Sequence, residues 1–338
     1  MLNNAYVNLS ALKNNARQIQ SKLKKQTKFC AVVKADGYGH GGAKVAQAIY
    51  PYVDCFAVAL VEEGVSLRYA GIDKDILLLI PPFFSDLELA VRHNFLIAVD
   101  SAKQLLYLNA EGQKQGKTVK VHLKFDCGMK RLGVDIEGLK ELLALASRLK
   151  HIKIDGLFSH LAWAENKKAT FIAENKFLLA NNLVKGYNNK VTCHLSASGG
   201  FIHGLHYDMV RVGILLYGYK PFETDYIDVQ KAMQVYAPAV KKRFLPKGQS
   251  ALYGNRFLSE DTFLTLLRYG YADGLPRKEV ENQFNTRCMD ITAIKGNIDG
   301  DLIPVMVDAD KTAKEYDTIS YEVLTKCAIR AQKIYYYQ

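Results

Sequence analysis

The sequence predicts an α/β protein in which an N-terminal (β/α)8 TIM barrel is followed by a C-terminal, mainly β domain. Over the first two thirds of the chain, eight apolar or β-branched runs of strand length alternate with helix-length amphipathic segments. From about residue 229 onward, short strand-like runs are separated by turn signals instead of helices. Strands that alternate with helices form parallel sheets, and eight of them fit a closed barrel better than an open sheet.

The predicted barrel strands are short runs rich in valine, isoleucine, leucine and phenylalanine. They cover residues 29–35, 55–60, 75–80, 96–100, 119–125, 152–160, 190–195 and 209–217. Helical patterns between them cover residues 10–25, 62–70, 102–114, 136–149 and 171–185. We therefore expect a barrel domain at residues 10–228 and a β domain at residues 229–338, which residues 1–9 join. A chain of 338 residues suits one barrel-sized domain and a smaller one.

Charge and hydropathy narrow the classes of function. The formal charge of +11 invites a nucleic-acid interpretation, but the basic residues are dispersed, with small clusters only at 22–28 and 241–243. A solvated cationic surface accounts for them, and salt-dependent binding would favour the nucleic-acid alternative. The longest aliphatic run, at 76–80, is far too short to span a membrane. The first residues lack the pattern of a secretory signal, so we expect a cytoplasmic protein.

The six cysteines are scattered and form no CxxC pair. This spacing argues against a zinc site and for reduced thiols, and we expect no bound metal.

Polar residues collect at the ends of the predicted strands, where a barrel carries its catalytic groups. Lys34 ends a buried strand and precedes a glycine-rich loop. Burial disfavours the charged form of an amine, and a neutral amine can form a Schiff base. The alternative is that Lys34 simply extends its ammonium group to the surface. Charged and polar residues also lie in or directly after the later strands. They are Lys124, Asp126 and Arg131, then His160, then His194, Ser196 and Ser198, and finally Arg211, close to Gly213.

Each of these residues, taken alone, could have a purely structural role. The prediction of a functional site therefore depends on their joint placement. Two lysines, two arginines and two histidines at one barrel mouth make a positive pocket that needs an anion. Glycines near Ser198 and at Gly213 let backbone N–H groups approach a phosphate. A Schiff-base lysine beside a phosphate site points to pyridoxal 5'-phosphate (PLP) as cofactor.

Six ordered motifs resemble those of the alanine racemase family of fold-type III PLP-dependent enzymes. They are VVKADGYGHG at 32–41, HLKFDCGMKRLG at 122–133, VRVGILLYG at 210–218, YG at 253–254, GYADGLPR at 270–277 with CMD at 288–290, and ISYEV at 319–323. The resemblance implies an isomerase that interconverts L- and D-alanine and supplies D-alanine for cell-wall peptidoglycan. It also implies a homodimer with shared active sites.

The resemblance assigns roles to single residues. Lys34 would hold PLP and act as one of two bases, and Tyr253 of the partner subunit would be the other. Arg211 would hydrogen-bond the pyridine nitrogen, with His160 and His194 behind it. The phosphate would be held by Tyr38, Ser198, Gly213, Ile214 and Tyr321.

Four further residues complete the implied substrate site. Arg131 would contact the phenolic oxygen of the cofactor and the substrate carboxylate, helped by the Met289 backbone. Lys124 would be carbamylated and orient Arg131, and Tyr271 would line the entrance.

The chain also departs from the family pattern at Cys127, Ala197 and Trp163, where a threonine, an asparagine and a small residue are usual. The second domain is also shorter between Met289 and Tyr321. These departures leave a racemase of the same fold acting on serine, lysine or several amino acids as an alternative. A decarboxylase fits less well, because the Tyr253-Gly254 and Arg131 motifs are those of racemases. A non-catalytic PLP-handling protein would resemble the barrel alone.

Overall fold

The computed structural model describes residues 2–338 as two compact units. One unit comprises Leu12–Gly37 and Gly42–Gln230. The other takes the N-terminal segment up to Ala11 together with Tyr38–Gly41 and Lys231–Gln338. The domain boundaries expected from the sequence stay a prediction, and the two units are described separately.

The larger unit contains the predicted barrel, which confirms the fold class. Its eight strands are all parallel: from the first to the seventh, each pairs with the next along the chain, and the eighth pairs with the first. Between the seventh and eighth strands, closure depends on two backbone hydrogen bonds, from Asp208 N to the Cys193 carbonyl (3.1 Å) and from Arg211 N to the Ser196 carbonyl (2.9 Å). The strands are β2 (Lys28–Val32), β3 (Cys55–Val58), β4 (Ile76–Leu78), β5 (Leu96–Val99), β6 (Val119–Lys124), β7 (Ile152–Phe158), β8 (Thr192–His194) and β9 (Met209–Val212).

Helices precede and connect the barrel strands, and those at residues 42–49, 87–92 and 198–202 are not among the helical patterns predicted from the sequence. They are α1 (Leu9–Ser21), α2 (Gly42–Ile49), α3 (Val61–Tyr69), α4 (Leu87–Arg92), α5 (Ala102–Gln115), α6 (Ile136–Ala146), α7 (Lys167–Tyr187) and α8 (Ser198–Ile202). Three of them begin at side-chain caps, where Ser101, Asp135 and Asn166 accept an N–H of the first turn. Such caps satisfy donors that a helix leaves without partners at its start.

Two predicted strands end three or more residues earlier than expected. The run at 29–35 leaves the sheet after Val32, because the backbone turns left-handed beyond Lys34. The run at 209–217 leaves the sheet after Val212, and Ile214–Tyr217 form a 3-10 helix. In both places an apolar sequence continues past the last strand residue, because Val33 and residues 214–217 stay buried outside the sheet.

The second unit is built on a six-stranded sheet with the order β12-β11-β10-β1-β14, and β13 pairs with β10. The N-terminal strand β1 (Asn4–Asn8) runs antiparallel to β10 (Met233–Leu245) and parallel to β14 (Gln332–Tyr336). At 13 residues, β10 is much longer than the short runs expected in this part of the chain. The other elements are β11 (Thr262–Leu267), β12 (Thr292–Lys295), β13 (Leu302–Met306), α9 (Ala309–Glu315) and α10 (Ser320–Lys326).

Over residues 2–338, no helix combines the length and the apolar composition needed to cross a membrane.

Candidate active site

The chain takes a rare conformation directly after Lys34. Ala35, Asp36, Gly37 and Tyr38 all have φ between 51° and 62°. A left-handed conformation costs an ordinary residue about 1–2 kcal/mol, so four in succession require support from the surroundings. Support comes from the Gly37 N–H, which donates to the Val33 carbonyl (2.8 Å), and from the Asp36 carboxylate, which accepts the Gly42 N–H (2.8 Å). This turn directs the chain away from the sheet immediately after Lys34.

The environment of Lys34 favours the neutral amine. Desolvation lowers the pKa of this half-buried lysine, and the positive charge of Arg131 lowers it further. Glu63 acts in the opposite direction and raises it.

Lys124 is the more deeply buried of the two lysines, with 7% of its surface exposed at the end of β6. Desolvation and then Arg211 lower its pKa to about 7. Its amine lies 4.2 Å from the centre of the Phe158 ring and 3.4 Å from the Leu79 carbonyl oxygen. A large fraction of this amine is therefore neutral and nucleophilic near pH 7.

Arg131 lies on the loop that follows β6. The loop is closed at its base because Asp126 N donates to the Val134 carbonyl and Val134 N donates to the Lys124 carbonyl, both at 2.9 Å. The carboxylate of Asp126 then accepts the N–H groups of Gly128 and Lys130. Arg131 itself is exposed, whereas Arg211 is enclosed.

Arg211 is 3% exposed and makes four hydrogen bonds from its terminal nitrogens. Nη1 donates to His194 Nδ1 (2.6 Å) and to the His194 carbonyl (3.1 Å), and Nη2 donates to the carbonyls of Ser159 (2.6 Å) and Leu195 (3.0 Å). Burial lowers the pKa of Arg211 to about 10, so it stays charged at neutral pH. Its hydrogen-bond acceptors are all neutral.

The arginine also determines the tautomers of two histidines. A guanidinium can only donate, so His194 Nδ1 accepts and its proton lies on Nε2. His194 Nε2 is 2.9 Å from His122 Nδ1, which must then accept, and the His122 proton lies on Nε2. The His122 ring packs against Gly156, where a Cβ atom would come within 2.2 Å of it. The result is one directed chain of hydrogen bonds from Arg211 through His194 to His122.

The histidines do not add to the positive charge, which corrects the expectation from sequence. Burial, followed by Arg211 and Arg131, lowers the pKa of His160 to about 3. Burial also lowers the pKa of His194 far below its ordinary value. Both rings are neutral at physiological pH, so the charge of the pocket comes from its arginines and lysines.

The predicted phosphate site is partly assembled within the barrel unit. Gly213 N donates to the hydroxyl of Ser198 (3.3 Å), which brings the end of β9 to the start of α8. Ile214 follows as the first residue of the 3-10 helix, and all three residues are buried.

Two other predicted phosphate ligands meet in the second unit. The rings of Tyr38 and Tyr321 lie 6.1 Å apart, and burial raises the pKa of Tyr38. Gly39 packs so closely on α10 that a Cβ atom would lie 2.2 Å from the Leu324 carbonyl oxygen, and its φ of +81° also favours glycine. The segment around Tyr38 is therefore fixed against the helix that carries Tyr321.

The second unit also carries Tyr253, Tyr271 and Met289, and all three are solvent-exposed. The exposed fractions are 65%, 39% and 54%. Tyr271 and Met289 are neighbours, because Tyr271 N donates to the Cys288 carbonyl (3.0 Å) and Ala272 N to the Met289 carbonyl (3.1 Å). Tyr253 lies on a separate loop, where its carbonyl accepts the Thr286 hydroxyl (2.8 Å).

Among residues 2–338, no three or more histidine, cysteine or acidic side chains are grouped as metal ligands would be. All six cysteines are free thiols, and five of them are buried.

Two family models together match most of the chain. The model of the alanine racemase N-terminal domain matches residues 7–221, and that of the alanine racemase C-terminal domain matches residues 232–335. The chain belongs to the alanine racemase family. It is accordingly an amino-acid racemase, an enzyme of the isomerase class, and the resemblance read from its motifs is confirmed.

Relatives within the alanine racemase family match most of the chain. The alanine racemase of Synechocystis sp. is 31% identical and covers 94% of each sequence. That of Prochlorococcus marinus is 36% identical over 81% of this chain and 75% of its own. Among solved structures, the alanine racemase of Clostridium difficile 630 has a TM-score of 0.93 at 28% identity, covering 100% of this chain and 96% of its own.

The positions where the chain departs from the family pattern differ in their surroundings. Cys127 is buried, accepts a hydrogen bond from the Ser159 hydroxyl (3.0 Å) and lies 3.5 Å from the His160 carbonyl oxygen. Ala197 immediately precedes Ser198 at the start of α8 and caps it without a side-chain hydrogen bond. Trp163 is 64% exposed.

Proposed function

We propose that the chain interconverts L- and D-alanine with PLP, using Lys34 and Tyr253 of the partner subunit as the two bases. The D-alanine would supply cell-wall peptidoglycan. The observation that carries the proposal is the partly desolvated Lys34 amine, whose pKa is lowered by burial and by the positive charge of Arg131. The enclosed Arg211, whose hydrogen-bond acceptors are neutral, is suited to an anionic, electron-rich ligand.

The residues present fit PLP. Lys34 would bind it covalently, and Arg211 would face the pyridine nitrogen. Tyr38, Ser198, Gly213, Ile214 and Tyr321 would hold its phosphate. A solved family structure, the alanine racemase of Bartonella henselae with covalently bound pyridoxal phosphate, has a TM-score of 0.87 at 25% identity and covers 99% of this chain and 100% of its own. When bound, PLP supplies an electron sink that makes the substrate Cα proton removable.

Arg211 controls how strongly the cofactor ring withdraws electrons. Its guanidinium stays charged and can only donate, so a pyridine nitrogen facing it remains unprotonated. The hydrogen bonds of Arg211 to His194 and to three backbone carbonyls fix its plane. A ring that withdraws electrons less strongly favours return of the proton to Cα over side reactions.

Racemisation needs one proton donor and one acceptor on opposite faces of the substrate. Lys34, with its lowered pKa, serves one face, and the partner's Tyr253 serves the other. In the proposed homodimer, the partner subunit would cover the exposed side chains of Tyr253 and Met289.

Substrate orientation falls to Arg131, the Met289 backbone and Tyr271. Arg131 would bind the substrate carboxylate and the phenolic oxygen of the cofactor, and Tyr271 would line the entrance. Lys124 would react with carbon dioxide to give a carbamate that orients Arg131. A pKa of about 7 supports this, because only a neutral amine attacks carbon dioxide. The free thiols suit the cytoplasmic location that completes the proposal.

The test is to purify the chain and its Lys34→Ala variant, record PLP absorbance, and follow loss of optical activity with L-alanine, L-serine and L-lysine. We expect cofactor colour and alanine racemisation in the parent and neither in Lys34→Ala. Faster turnover of serine or lysine would replace alanine with the alternative substrate. A colourless, inactive parent supplied with PLP would contradict the proposal.

A further inference from the structure

The carboxylate of Glu63 joins two loops at the mouth of the barrel. Glu63 lies in the first turn of α3, and its Oε1 accepts the Ala35 N–H at 2.5 Å. Its Oε2 accepts the N–H groups of Ala59 (2.8 Å) and Leu60 (3.1 Å), in the loop that follows β3. One side chain therefore connects the residue after Lys34 to the end of the neighbouring strand.

The hydrogen bond between Glu63 and the Ala35 N–H lies at the strained left-handed turn. Ala35 is the first of the four left-handed residues, and the turn that they form begins at Lys34. The exit of the turn is fixed by Asp36, which accepts the Gly42 N–H. The Glu63 carboxylate fixes the entrance in the same way. Hydrogen bonds to a charged acceptor are stronger than neutral ones, which suits an anchor for a costly conformation.

The same carboxylate also acts on the charge balance around Lys34. The groups that interact electrostatically with the Lys34 amine are Lys124, Arg131, His160 and Glu63. Arg131 lowers the pKa of Lys34, whereas Glu63 raises it. Glu63 is the anion in this set, so its charge limits how far the cationic pocket shifts the amine.

We propose that Glu63 is a positioning residue for Lys34, which holds the left-handed turn in place and balances the positive charge around the amine. This inference rests on the proposed function, in which Lys34 binds the cofactor and moves a proton. Glu63 itself touches backbone N–H groups rather than reacting atoms.

The test compares Glu63→Gln with Glu62→Gln in the full chain loaded with PLP. Glu62 is the exposed neighbour in the same helical turn, so its variant matches the change in charge and the effect on the helix. A glutamine at 63 offers one acceptor oxygen, so it cannot serve both loops. We expect hydrogen exchange of the Ala35 amide to accelerate about tenfold or more in Glu63→Gln only.

A second measurement addresses the charge. In Glu63→Gln, the acid limb of the kcat profile should move to lower pH for the alanine enantiomer whose proton Lys34 removes, because loss of Glu63 lowers the pKa of Lys34. Glu63→Asp keeps the charge but is too short to serve both loops. It should therefore return the acid limb toward its parent position while the Ala35 amide still exchanges rapidly.

The possible outcomes distinguish failure of the inference about Glu63 from failure of the proposed function. If Glu63→Gln matches Glu62→Gln in exchange and in its pH profile while the parent is loaded and active, the inference is wrong. If Glu63→Gln does not fold, Glu63→Asp supplies the exchange measurement, and parent-like protection of Ala35 in that variant overturns the inference. A parent that neither binds PLP nor racemises alanine would contradict the proposed function instead.

Discussion

The barrel unit encloses two of its candidate functional groups, whereas the second unit exposes Tyr253 and Met289. In the barrel, Lys124 and Arg211 are 7% and 3% exposed. The chain itself holds Arg211 in place by hydrogen bonds to His194 and to backbone carbonyls. In the second unit, Tyr253 and Met289 are 65% and 54% exposed and are placed by their backbones.

The difference indicates which part of the chemistry each unit can organise alone. Buried groups with fixed partners have altered pKa values and defined tautomers, so the barrel organises these groups by itself. An exposed tyrosine on a loop lacks such fixed partners. Its environment must come from whatever covers it, which in our proposal is a second copy of the chain.

The largest expected effect comes from removing the proposed catalytic hydroxyl of the second unit, that of Tyr253. Tyr253→Phe should lower racemisation by about 10²–10⁴-fold, because one of two proton-transfer groups is lost. PLP absorbance should not change, since the tyrosine hydroxyl is outside the proposed cofactor contacts. Chiral chromatography of alanine measures the first effect and visible absorbance the second. Tyr69→Phe, at an 85% exposed tyrosine of α3, is the matched control and should behave like the parent.

Mixing two inactive variants extends this prediction to the dimer. When Lys34→Ala and Tyr253→Phe chains are unfolded and refolded together, half of the dimers are mixed, and one site in each has both bases. About a quarter of the parent activity should return, as follows from a two-fold symmetric dimer with shared sites. A mixture as inactive as its components would show that Lys34 and Tyr253 act within one chain.

A smaller effect concerns the free energy of unfolding that is lost by burying the charged Lys124 amine. The pKa of Lys124 is about 7 in the folded chain and near 10.5 when exposed, so between these values the unfolded chain holds one more proton. The free energy of unfolding therefore rises with pH across this range, and the penalty for the buried charge is complete below it. Lys124→Met should be more stable than the parent at pH 6, on the order of 3 kcal/mol, and the difference should shrink toward pH 10.

Urea unfolding of the cofactor-free full chain in buffer free of carbon dioxide measures this difference. Lys120→Met is the control, since Lys120 is an exposed lysine on the same strand whose ion pair with Asp75 is also exposed. It should leave the pH dependence of stability unchanged. A parent-like pH dependence in Lys124→Met would mean that the Lys124 amine remains charged in the folded chain.

The comparison also explains which features the sequence could predict. Barrel strands are local apolar patterns, and polar residues at their ends meet because parallel strands end on one side, so Lys124 and Arg211 could be grouped in advance. The left-handed turn after Lys34 could not, because apolar Phe29–Val33 and Ala35 are equally compatible with a longer strand. Its support comes from Glu63, 28 residues away from Ala35, through a contact that no local pattern encodes.

Burial was equally hard to predict. Arg131 and Arg211 are alike as residue types at strand ends, yet one is exposed on a loop and the other is enclosed. The histidines have neutral rings because their surroundings exclude water, and a sequence does not report solvation. The glycine signals within the motifs were informative because close packing, as at Gly39, requires them.

The smallest expected effect tests whether a hydroxyl group can replace the Cys127 thiol in its hydrogen bonds without changing stability or substrate preference. In Cys127→Thr, the new hydroxyl can accept from Ser159 and donate to the His160 carbonyl, as the thiol does. Burial raises the pKa of the Cys127 thiol, so no charge is lost. We expect the free energy of unfolding to change by less than about 1.5 kcal/mol, and the ratio of alanine to serine turnover to stay the same.

Cys127→Val provides the contrast, because valine has the shape of threonine without its hydroxyl. It leaves the buried Ser159 hydroxyl without its thiol partner, so we expect a loss of about 1–3 kcal/mol. Denaturant unfolding and kcat/KM for both amino acids, measured on the two variants side by side, separate hydrogen bonding from size. A shift in substrate preference in Cys127→Thr alone would instead make this cysteine a determinant of specificity, because hydrogen bonding would then be preserved while selection changed.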